Sequence, residues 1–243
     1  MSQTLVNQES MISVAIKENN PATLTEDLLK YIGAVPKEWQ SARPPICSNS
    51  VSQVMFTSGV GVVSEPNRVI FIETIAGKAA AEISCPSVAK KYVETLSNVE
   101  YQAVSINHRG YVAFEREQDA ASKYMAQTLL SPGTWQEVGN APMRATLNLA
   151  YSLDRCPLYL SITEAALRFP DETTTPIVMF SSSFRYEIAG GTAPERLSHL
   201  HQAIDNWQTD LSTYQDIINT KFLARESENL AVVPSLFAMS ASV

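Results

Sequence analysis

Met143-Arg-Ala-Thr-Leu-Asn-Leu-Ala-Tyr-Ser-Leu153 sets six apolar side chains, Met143, Ala145, Leu147, Leu149, Tyr151 and Leu153, at every second position. Successive side chains of a strand leave opposite faces, so this run specifies a β-strand with one apolar and one polar face. The turn Asp154-Arg-Cys-Pro157 and the run Leu158, Leu160, Ile162 read as its hairpin partner. The same period recurs at Val178, Phe180, Phe184, Tyr186 and Ile188, and at Ile12, Val14 and Ile16. Val54, Phe56, Val60 and Val62 read as one strand. Arg68 to Ile75 follows the Pro66-Asn67 turn, and Ala79 to Ser84 reads as a third short strand. Val99 to Phe114 reads as extended, with a bend at Asn107-His-Arg-Gly110.

Helical signals separate these strands. Thr23 and Glu26 have the spacing of a capping box ahead of Leu24, Leu28 and Ile32, and Gly33 ends that helix. Pro86 suits a first helical turn and precedes Val88, Tyr92, Val93 and Leu96. Asp119 to Leu130 reads as a helix stopped by Pro132-Gly133, and Thr192 with Glu195 forms a second capping box before a long last helix. The predicted class is α+β: two pseudo-repeated β-α-β-β-β-α halves, with an antiparallel sheet packed under helices and a long C-terminal helix. The halves are residues 1–98 and 99–224, forming one compact unit, with an apolar tail over 225–243. Ile12 and Tyr101, Val54 and Met143, and Val69 and Leu158 are each 89 residues apart, which supplies the offset between halves.

Tyr101 through Ile106-Asn107-His108-Arg109, then Met179 to Tyr186, then His201 to Phe222, carry a motif order. In this order the chain resembles a sporadically distributed family of uncharacterised bacterial proteins with two β-α-β-β-β-α halves. His108, between Asn107 and Arg109, departs from the family's pattern. The resemblance implies a fold and no activity.

Lys and Arg number 18 against 25 Asp and Glu, a net charge of −7, and no basic patch is visible in the sequence, which argues against nucleic acid as partner. Ser and Thr are as numerous as the charged residues, so much of the polar surface is neutral. The start, Met1 to Ser10, lacks the apolar core of a secretory signal, and no stretch reaches the ~20 apolar residues of a membrane span. Cys47, Cys85 and Cys156 have neither metal-site nor disulfide-framework spacing. They are expected to be reduced thiols in a cytoplasmic protein.

Catalysis needs a nucleophile or base placed by partners, and no such constellation is visible. His199 and His201, two apart on a helix, cannot share an ion, so no metal and no cofactor is expected. His108 and Arg109 are the candidate ligand-binding residues, a titratable ring beside a cation at the expected bend. Gly59-Val-Gly61 lacks the helix and third glycine of a dinucleotide fingerprint and reads as a bulge or close approach. Ser181-Ser-Ser183 reads as small polar residues on a half-buried strand face.

The last helix repeats apolar residues with 3-4 spacing at Leu197, Leu200, Ile204, Trp207, Leu211, Tyr214 and Ile218. At ~1.5 Å per residue this seam exceeds the ~17–20 Å of a typical strand, so part of it is expected to overhang the sheet. Trp207, Leu211, Tyr214, Ile218 and Phe222 are therefore candidate protein-interface residues, together with Leu236 and Phe237 of the uncharged tail. The function expected is a non-enzymatic protein-binding or assembly subunit, a homo-oligomer or a component of a larger complex. The alternative is a small-molecule binder or hydrolase with a pocket between sheet and helices.

Overall fold

Long strands organise the molecule. In the computed structural model, which describes residues 4–114, 119–141 and 143–224, β1 (Val6–Ile16) and β5 (Tyr101–Ala113) run antiparallel through the middle of one sheet. β2 (Ser52–Met55), β3 (Val60–Glu65) and β4 (Arg68–Thr74) extend it on the β1 side. β6 (Thr146–Ser152), β7 (Pro157–Arg168) and β8 (Thr174–Glu187) extend it on the β5 side. The order is β2-β3-β4-β1-β5-β8-β7-β6, antiparallel throughout. β4 lies between β3 and β1 whereas β7 lies between β8 and β6. Val69 and Leu158, equated by the 89-residue offset, thus sit at different distances from the sheet centre.

Helices cover one face. α2 (Cys85–Thr95) packs on β1 and β4, and α3 (Ala120–Lys123), which runs into a wider π-helical turn, packs on β8. α4 (Ala193–Asp205) and α5 (Trp207–Ile217) both pack on β5. α1 (Glu26–Tyr31) brings Leu29 into the same core as Leu24 and Val35. Every second strand residue faces these helices. Phe71, Ile12, Ile106 and Phe184 line up in register across β4, β1, β5 and β8, all fully buried. Each such burial contributes ~1.5–3 kcal/mol. Residues of alternate parity, among them Met11, Ser13, Asn107 and Ser183, are half-buried on the face opposite these helices.

Several local expectations are corrected. Residues 54–62 form a hairpin, since Gly59 at φ +87° turns the chain and Phe56 N–H donates to the Val60 carbonyl. The alternation runs on through the turn because Phe56 and Val60 both bury. Gly61 is a close approach, where a Cβ would run into Met55 Sδ. Residues 79–84 hold a 3₁₀ turn (Ala80–Glu82), with the Ala79 N–H bonded to the Glu82 carboxylate. β5 continues unbroken through Asn107–Gly110; its register with β1 shifts between Asn7 and Glu9, and again between Ala15 and Ile16. Thr25, not Thr23, caps α1, accepting from the Leu28 N–H at 3.0 Å. Thr192 and Glu195 do form the capping box, but the last helix breaks at Asn206.

Candidate functional site

The two ends of the sheet differ. At the β2 end, Val54, Phe56, Val60 and Val62 are sealed, and Trp39 packs on the Phe56 ring at 5.4 Å. The chain's own loop closes that edge: Ala42 N–H donates to the Met55 carbonyl, and Ile46 and Gln53 exchange two backbone bonds. At the other end, no strand among the described residues pairs with the outer edge of β6. Leu147 and Leu149 are only half-buried, and Tyr151 is 36% exposed. Open edges are ordinarily blunted by a charge, a proline or a bulge. Thr146-Leu-Asn-Leu-Ala-Tyr-Ser152 has neither charge nor proline, and it pairs with β7 in unbroken register.

The backbone of that edge can be assigned. Leu153 N–H donates to the Cys156 carbonyl at the β6–β7 turn, and Ser152 sits opposite Pro157, which has no N–H. Antiparallel ladders alternate between bonded and non-bonded pairs. The amides and carbonyls of Leu147, Leu149 and Tyr151 therefore face β7, while those of Thr146, Asn148, Ala150 and Ser152 face outward. Arg144 and Asp154, just beyond the strand, are exposed and make no ion pair among the described residues.

His108 and Arg109 are not brought together. His108 lies beneath the helices in a buried polar row with Glu73, Ser10 and Ser182, one residue from each of β4, β1, β5 and β8. Its ring is packed against Phe184 and Tyr214, and neither ring nitrogen has a hydrogen-bond partner among the described residues. Burial pushes its pKa down to about 3. Arg109 leaves the opposite face and pairs with Glu9 at 3.1 Å. Glu73 has a structural role: one oxygen takes Lys78 at 2.7 Å and the other accepts from the Ser84 and Cys85 N–H groups at the start of α2. Burial, with the Glu73 charge, raises the Cys85 thiol.

Of the expected interface residues, Leu211, Tyr214 and Ile218 are buried against this chain's own sheet, and Phe222 meets Phe180 edge-on at 5.9 Å. Trp207 is half-buried against the same core. The overhang expected of the helix does not occur, because β5 and β8 run 13 and 14 residues and the helix breaks at Asn206. Leu236 and Phe237 lie outside the described residues. Asp210, fully buried on α5, holds Arg155 and the Tyr186 hydroxyl, tying the β6–β7 turn to the helix layer. Burial still raises its pKa. His199 bonds the Ala189 carbonyl at 2.7 Å.

A groove of about 490 Å³ opens between α5, the start of β1 and the β4–α2 connection. Asn7, Gln208, Ser212 and Gln215 give it a neutral polar lining, and Lys78, the one titratable residue among the described residues that line it, is held by Glu73. Asn7 Oδ1 itself is buried, with no hydrogen-bond partner among the described residues. No helix among the described residues is long and apolar enough to cross a membrane. Sequence reasoning passed over Arg144 and Asp154, whose signal was their equal spacing about Leu149. No protein-family model and no curated protein matches the chain.

Proposed function

We propose that this chain is a non-enzymatic protein-binding or assembly subunit that docks through the open edge of β6. The observation that carries the reading is the contrast between the two sheet edges: the chain covers β2 with its own loop, whereas the outer edge of β6, uncharged and half-apolar, has no partner among the described residues. A protein strand fits this edge, because it supplies backbone partners for the outward groups and apolar cover for Leu147, Leu149 and Tyr151. The net charge of −7 disfavours nucleic acid, and three free thiols support a cytoplasmic setting. We also read the architecture as two related halves, akin to the bacterial family named above. The support is a strand order that runs symmetrically outward from the β1–β5 pair.

Ala150→Pro tests the docking reading. Its N–H faces outward, so a proline there leaves the β6–β7 ladder intact and blocks an added strand. In native extract the wild-type chain should run above the 26.7 kDa of one chain and the variant should run at it, while both give the same far-ultraviolet circular dichroism when purified. Equal sizes for the two would end the reading.

A second reading, small-molecule binding, is favoured by the groove and its neutral polar lining of Asn7, Gln208, Ser212 and Gln215. Ligand-observed NMR against neutral polar fragments tests it, with the groove-filling Ser212→Trp as blank. The reading fails if the variant loses none of the fragments bound by the wild type.

A further inference from the structure

The occupant of the β6 edge can be named from the pattern of the strand itself. We infer that β6 pairs antiparallel with β6 of a second copy of this chain, in the register that sets Leu149 opposite Leu149 of its partner. This inference rests on the docking reading above and specifies the partner.

Three observations select the self-pair and its register. First, a two-fold antiparallel pair through Leu149 brings residues together whose numbers sum to one constant, and only this register matches all of Thr146–Ser152 with itself. It joins Asn148 to Ala150 of the partner and Thr146 to Ser152 of the partner, the residues whose backbone groups face outward. Every outward donor and acceptor of the strand then finds a partner. Secondly, the apolar stripe is self-complementary about the same centre. Leu147 meets Tyr151 of the partner, and Ala145 meets Leu153 of the partner, all on the face that the helices leave half-covered. Thirdly, the flanking charges match. Arg144 and Asp154 stand five residues either side of Leu149, so each Arg144 faces Asp154 of the partner, twice over by symmetry. Both are exposed and make no ion pair among the described residues. The strand between them is uncharged, so like charges are not opposed anywhere along it.

The register gives a chemical test. Leu149 and its symmetry mate form a non-hydrogen-bonded pair, with Cα atoms ~4.5 Å apart, inside the ~4.4–6.8 Å range of disulfides. In the full-length chain carrying Cys47→Ser, which removes the exposed native thiol, Leu149→Cys should cross-link to a dimer under mild oxidation. Ala150→Cys, out of register with its own mate, should not. The mass of the purified wild-type chain should be twice 26.7 kDa. Arg144→Asp should weaken the dimer by about tenfold, from two lost exposed pairs and new like-charge contacts, and adding Asp154→Arg should restore it. A dimer that Ala150→Cys cross-links, or that Arg144→Asp leaves unchanged, overturns the inference. So does a purified chain that keeps the mass of one copy at high micromolar concentration. In that case a wild-type chain that still runs large in extract, and an Ala150→Pro variant that does not, would leave the docking reading standing with a different protein as occupant.

Discussion

Tyr214 on α5 donates its hydroxyl proton to the backbone carbonyl of Phe180 on β8, 2.9 Å away, with both residues buried. The bond pins the last helix to the middle of the sheet and makes its seam part of the core. Tyr214→Phe removes that one bond and should cost ~1 kcal/mol. Tyr214→Ala opens a cavity and should cost ~3–5 kcal/mol. Denaturant unfolding of both variants checks the ranking. At temperatures where the alanine variant remains folded, its oligomeric mass should match the wild type.

His108 makes stability depend on acid. Its folded pKa is pushed down to about 3 by burial, whereas an unfolded histidine titrates near ~6.5. Between those values unfolding takes up a proton. The contribution is therefore fully present above pH ~6.5 and declines as pH falls toward 3, by up to ~1.4 kcal/mol per unit. His108→Leu should flatten the difference in unfolding free energy between pH 7 and pH 4.5. An unchanged difference would mean that other groups set it.

Gly110 is held to glycine by packing. A Cβ there would lie 2.7 Å from the Val6 carbonyl oxygen, 2.9 Å from Leu5 Cδ1 and 3.0 Å from the Tyr214 hydroxyl. Gly110→Ala should cost ~1–3 kcal/mol, measured as a lower denaturant midpoint. A turn at this glycine would tolerate alanine differently: the cost would come from backbone conformation and would spare the Tyr214 contact.

These residues also show what the sequence made legible. Period-2 alternation located the strands, and the Thr192/Glu195 pair located the start of the last helix, because both signals are local. Gly110 read as part of a bend and Gly59 as part of a bulge or close approach within one strand, yet Gly59, with positive φ, makes a turn and Gly110 lies inside β5. The difference lies in a neighbouring strand that no local pattern names. The fate of the helix seam depended on strand length: β8 spans 14 residues, so Leu211, Tyr214 and Ile218 are covered in cis. Strand order was not legible, and with it the fact that the most regular alternation in the chain belongs to an edge. The placement of Arg144 and Asp154 about Leu149 gains meaning only from the position of β6 at the end of the sheet.

Amide hydrogen exchange along β6 in the purified chain tests the central claim most directly. Leu147, Leu149 and Tyr151 bond to β7 and should be protected at every concentration. Asn148 and Ala150 point outward and are protected only when a strand lies against them. The account predicts that their exchange slows at least ~10-fold as the chain is concentrated into the dimer, and that Ala150→Pro abolishes the slowing at Asn148. Exchange at Asn148 and Ala150 that stays at the rate of an open edge, in a chain whose mass shows it to be associated, would contradict it.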